Sequence, residues 1–127
     1  MTRRCWIFVA LLSSACRHPL PSRESLLPAN LGMVWTRTSL RAVPPPQSTA
    51  RRAFEATYRG PGELTVQLYE TKVSAVAFEM TQHWKPEPDT VFFAKGNYFV
   101  IVKWLQADRP SLTVFIHALQ DELQGQR

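Results

Sequence analysis

Twice between residues 50 and 124 the apolar pattern runs at period two, turns, repeats, and then switches to a period of 3.6. Side chains of a strand alternate between two faces, whereas those of a helix return every 3.6 residues, so one element cannot serve both patterns. In the first unit Phe54, Ala56 and Tyr58 share a face, with Glu55 and Thr57 opposite. Arg59-Gly60-Pro61-Gly62 reads as a turn, with glycine supplying positive φ and proline a fixed φ. Leu64, Val66 and Leu68 then form the inward face of a return strand. From Lys72 the period changes: Val73, Val76, Ala77, Met80 and Trp84 make the stripe of an amphipathic helix, with Thr71 as its expected cap. Pro86 and Pro88 end it, because each lacks the N–H that a further turn requires.

The second unit repeats the scheme. Val91–Ala94 and Tyr98–Leu105 flank Gly96-Asn97, a two-residue hairpin signal. Phe99, Ile101 and Leu105 alternate with Tyr98, Val100, Val102 and Trp104, so both faces of this strand are apolar and it is expected to be central. Asp108-Arg109-Pro110 opens a second helix, with Asp108 as cap and proline in the first turn. Its stripe is Leu112, Phe115, Ile116, Leu119 and Leu123, and Gly125 closes it. These readings give an α+β fold: a two-layer β-β-α-β-β-α arrangement whose antiparallel sheet is covered on one face by two helices.

Upstream of residue 50 the composition differs. Arg3-Arg4, the apolar run Cys5–Leu12 and the small residues Ser13-Ser14-Ala15 are the parts of a secretory signal, assigned to residues 1–15. The uncharged run 5–16 falls short of the roughly 20 apolar residues a spanning helix needs. Residues 16–49 read as a tether marked by Pro19, Pro21, Pro28 and Pro44-Pro45-Pro46, with an extra strand over 33–40. Residues 50–127 are then the compact domain.

Leu12-Ser13-Ser14-Ala15-Cys16 resembles the lipobox of bacterial lipoproteins, in which cleavage precedes a cysteine that takes lipid. The resemblance implies acylation of Cys16 with palmitate-type chains and anchoring in the cell envelope, periplasmic or outer surface. Two acyl chains suffice for stable anchoring without help from the protein surface. Cleavage near Ala15 without lipidation would instead leave a soluble secreted protein. On the lipoprotein reading Cys5 is removed and Cys16 is acylated, so no thiol remains for disulfide, zinc or nucleophilic chemistry. Loss of Arg3 and Arg4 also brings the net charge of +5 closer to balance.

Leu26-Leu27-Pro28 with Trp35, Tyr58-Arg59-Gly60, Leu68-Tyr69-Glu70, Ala75–Glu79, Gln82-His83-Trp84 and Gly96–Val100 together resemble a family of uncharacterised exported bacterial proteins, known as a domain of unknown function. The resemblance covers most of residues 26–124. It implies an envelope location and supplies no catalytic residue.

Catalytic signatures are sparse. Glu79/His83 and His117/Asp121 are four residues apart on helices, but neither helix carries a second histidine, and surface or capping roles account for both pairs. His18 falls in the tether. No serine sits in a Gly-x-Ser-x-Gly elbow, and no phosphate-cradling glycine loop occurs. The expected absences are a catalytic residue, a metal and a cofactor. Tyr69, Phe92 and Tyr98 suggest a base-stacking sheet, yet the basic-aromatic signature of such sheets is missing and export removes nucleic acid as a partner. The expected function is that of an envelope lipoprotein serving as an accessory or binding module. It would be membrane-bound through Cys16 and could take an envelope protein as partner. A soluble secreted small-ligand-binding domain is the alternative, with a hydrolase or nucleic-acid-binding sheet ranked below it. The one ligand site expected is an apolar groove near Trp84, Phe92 and Trp104.

Overall fold

The computed structural model of the chain describes residues 21–45 and 50–125. Its elements are α1 (Arg23–Leu26), β1 (Asn30–Leu31), β2 (Trp35–Val43), β3 (Ala50–Arg59), β4 (Glu63–Thr71), α2 (Ser74–His83), β5 (Thr90–Lys95), β6 (Tyr98–Gln106) and α3 (Arg109–Gln124). The strands form one six-stranded sheet in the order β1-β2-β3-β4-β6-β5, and every neighbouring pair is antiparallel. The fold is α+β, with two more strands and one more helix than the repeat from residue 50 predicts.

β6 is an interior strand, second from one edge, and both its apolar faces are covered. It lies between β4 and β5, so β4 and β5 run parallel with a strand between them. A parallel step needs a crossover, and α2 supplies it over one face of the sheet. On that face Ala77 and Met80 of α2 pack with Ala50, Ala53, Tyr69, Phe99 and Ile101. The other face holds the larger core: Phe54, Ala56, Tyr58, Leu64, Val66, Leu68, Val100 and Val102 against Leu112, Phe115, Leu119 and Leu123 of α3. The two helices therefore cover opposite faces, not one, and the domain has three layers. The cause lies in β6, whose Phe99/Ile101 and Val100/Val102 sets both need removal from water.

The second correction concerns residues 16–49. From Arg23 to Val43 they belong to the domain. Leu26, Leu27 and Trp35 are fully buried, and Leu31 nearly so. The ring of Trp35 meets Phe115 edge-on at 5.7 Å, and its Nε1 donates to the Ser111 carbonyl at 3.1 Å. The prolines mislead because proline removes a donor and leaves its acceptor. The Pro28 carbonyl accepts from the Tyr58 hydroxyl at 2.7 Å, and that of Pro21 accepts from Arg52 Nη2 at 2.9 Å. Arg37 Nη1 donates to the Leu27 carbonyl. The extra strand is Trp35–Val43, paired along β3.

Local chemistry departs from expectation at two more points. α2 starts at Ser74 with Val73 as its N-cap and no side-chain cap. Thr71 instead ties the start of α2 to the β5–β6 turn: its Oγ1 lies 2.8 Å from the Val73 carbonyl and 2.9 Å from that of Asn97, whose Nδ2 donates back to the Thr71 carbonyl. Gly60 and Gly62 are required for close approach and not for positive φ, which neither adopts. A Cβ on Gly62 would stand 1.7 Å from the Gln106 carbonyl oxygen, and one on Gly60 would stand 2.1 Å from that of Val34.

Candidate functional site

α2 covers only part of its face of the sheet. Beyond it the register aligns two rows across four strands: Glu55–Gln67–Ile101–Phe92 and Thr57–Thr65–Lys103–Thr90. The polar halves of β3 and β4 and the charged end of β6 thus face outward together. After α2 the chain passes over this region at Trp84 and Glu87. The result is an open trough of about 390 Å³ lined by Glu55, Thr65, Gln67, Trp84, Glu87, Thr90, Ile101, Lys103 and Leu105.

Leu105 shares the trough face of β6 with Ile101 and Lys103, and it sits at a bulge. Leu64 pairs with Trp104 and Glu63 with Gln106, which leaves Leu105 as the extra residue. It is 65% exposed, although its alternation with Phe99 and Ile101 predicts burial.

The electrostatics of the trough are mixed. Glu55 is bridged by Arg41 of β2 at 3.0 Å. The Tyr69 hydroxyl donates to Gln67 Oε1 at 3.4 Å, and burial, followed by the nearby Glu55 charge, pushes its pKa up. Lys103 is exposed and offers an ammonium from the middle of the floor. This set can donate and accept hydrogen bonds across a flat ligand beside one indole. It does not place a nucleophile against a base.

The three aromatics expected to form a groove are split between the faces. Trp84 and Phe92 both pack on Phe99, at centroid distances of 5.1 and 6.1 Å, as part of the α2-side core. Trp104 packs against the α3-side core. Only Trp84 reaches the trough, so these three residues line no common groove. The parity was accessible in advance. A turn at Gly96-Asn97 pairs Phe92 with Ile101, and Trp104 lies an odd number of residues from Ile101. The trough residues Glu55, Thr65, Gln67 and Lys103 carried a weaker signal, since an outward polar row reads as a solvated surface until the partial cover by α2 is known.

Of the remaining candidates, His83 Nε2 lies 3.9 Å from Glu79 Oε1 with both side chains exposed, and His117 is exposed on α3. Among the described residues no group of three His, Cys, Asp or Glu side chains converges as a metal site would require. No helix among them is long and apolar enough to cross a membrane. Cys16 and His18 lie outside the described residues.

No protein-family model, curated protein or solved structure matches this chain.

Proposed function

We propose that this protein is an exported lipoprotein, anchored in the cell envelope through acylated Cys16, whose domain is a non-catalytic module for a polyhydroxylated ligand such as a saccharide chain. The observation that carries the binding part is the trough. Its volume lies within the range of small-molecule sites, and its polar groups converge beside an aromatic ring. Glu55, Gln67, Thr65, Thr90 and Lys103 offer acceptors and donors at the strand spacing, and Trp84 offers an apolar wall. Saccharides present the same combination, hydroxyls at the rim and C–H groups on the ring face. In this reading the β-β-α-β-β-α run from β3 to α3 is the working unit, with its two helices as covers. The lipobox-like Leu12–Cys16 segment supports the anchor.

Two measurements test this. Titration with soluble oligosaccharides should change tryptophan fluorescence saturably, and Gln67→Ala or Lys103→Ala should each weaken binding about fivefold, the loss expected for one hydrogen bond of about 1 kcal/mol. A flat titration, or one that neither substitution alters, refutes the ligand class. For the anchor, Cys16→Ala should move the protein out of the membrane fraction. Retention of the variant after a high-salt wash refutes lipidation.

A further inference from the structure

The exposed charges are not distributed evenly along the strand axis. Ala50 pairs with Thr71, Glu70 with Tyr98 and Tyr98 with Lys95, so the start of β3, the end of β4, the start of β6 and the end of β5 meet at one end of the sheet. That end carries the exposed Arg51 and Lys72 and the half-buried Lys95, and the Arg23–Glu24 pair follows Pro21, whose carbonyl is held by Arg52 there. Its two carboxylates are already engaged. Glu70 is 1% exposed and accepts from Arg52 Nε and Nη2, and Glu24 pairs with Arg23 at 3.1 Å. Val73, 55% exposed, stands among these cations. At the far end Arg59 pairs with Glu63, and two more carboxylates stand there: Asp89, whose carbonyl accepts from the Trp104 N–H, and Asp108, which caps α3 just after β6.

The described chain also begins at the basic end. From Pro21 back to Cys16 the backbone reaches at most roughly 18 Å, whatever its path. β3 has ten residues and spans about 30 Å, so the far end cannot reach a membrane holding Cys16 as readily as the basic end can.

We propose that the strand-end surface bearing Arg51, Lys72 and Lys95 faces the membrane and binds anionic phospholipid headgroups. Its cations attract the headgroup phosphates, Val73 enters the interface, and the acyl chains on Cys16 hold the surface within range. The orientation rests on the proposed lipidation, whereas the preference for anionic lipid belongs to the folded domain.

The test uses the full chain as recovered from cells, in wild-type and Cys16→Ala form. Its partitioning is compared between phosphatidylcholine vesicles with and without phosphatidylglycerol. The ratio of the two partition coefficients cancels the acyl contribution and isolates the electrostatic one. Each basic residue close to an anionic surface contributes roughly fivefold, so Lys72→Gln combined with Lys95→Gln should lower the ratio about 25-fold. Arg59→Gln combined with Arg109→Gln should change it less than twofold, because Arg59 ends β3 roughly 25 Å along the strand from Arg51 and Arg109 follows the far end of β6, beyond screening range. Rising salt should bring the wild-type ratio toward one. Equal ratios for the two double variants, or a wild-type ratio near one at low salt, overturn the proposal. Identical partitioning of wild type and Cys16→Ala into pure phosphatidylcholine would remove the lipid anchor instead, and a preserved 25-fold effect would then still support the basic surface.

Discussion

Replacing Trp35 tests whether the proline-marked region is part of the folding unit. The indole is fully buried, meets Phe115 edge-to-face at 5.7 Å and donates to the Ser111 carbonyl at 3.1 Å. Truncating a buried tryptophan to alanine costs about 3–5 kcal/mol through lost transfer energy and the cavity left behind. Domains of this size hold about 5–15 kcal/mol in total, so Trp35→Ala should consume a large part of the stability. Trp35→Phe is the graded variant. It keeps an edge-to-face partner for Phe115 but loses the hydrogen bond and some volume, about 1–2 kcal/mol together. Urea unfolding followed by far-ultraviolet circular dichroism should show both losses as lower midpoints. Roughly 4–8 °C per kcal/mol is expected in melting temperature. Met33→Ala is the control, since Met33 is fully exposed and its loss should stay within about 0.5 kcal/mol. Trp35→Ala within about 1 kcal/mol of wild type would show that residues 22–43 lie outside the cooperative unit, as a tether would.

Three further outcomes follow from the packing. Arg52→Ala should destabilise by about 3–5 kcal/mol in the same unfolding assay because it strands the buried Glu70 carboxylate, while Arg52→Met with Glu70→Leu should recover most of that loss. Gly62→Ala should cost more than about 1 kcal/mol, since its methyl would meet the Gln106 backbone, and crystallography or amide exchange of the variant should locate the shift at the β3–β4 turn and the end of β6. The Tyr58 phenol, desolvated and donating to the Pro28 carbonyl, has its pKa pushed well above the ordinary tyrosine value. Native Tyr58 keeps its proton where the unfolded chain loses it, so stability should fall as pH rises above about 10. Tyr58→Phe should flatten that fall, and an unchanged alkaline slope would show that another group controls it.

Much of the sheet was legible because strand and helix periods are local properties. Phe54/Ala56/Tyr58 and Leu64/Val66/Leu68 pair as their alternation requires, and the Gly96-Asn97 turn sets Lys95 opposite Tyr98. The Asp108 cap is present too, its carboxylate accepting from the Ser111 N–H at 2.8 Å and held below its ordinary pKa by the Ser111 hydroxyl first and that N–H second. The candidate site was less legible. Glu55, Thr65, Gln67 and Lys103 become a site only where α2 stops short of covering them.

The hairpins, the two long helices and the interior place of β6 could be read directly along the chain, because each depends on the spacing of apolar side chains over a few residues. Tertiary structure alone decided that α2 and α3 take opposite faces, since the stripe of a helix records that it must be buried and not against what. It also decided that Leu26, Leu27 and Trp35 join the core. Their prolines signal only missing donors, whereas the carbonyls of Pro21 and Pro28 find Arg52 and Tyr58, which lie 31 and 30 residues further along the chain.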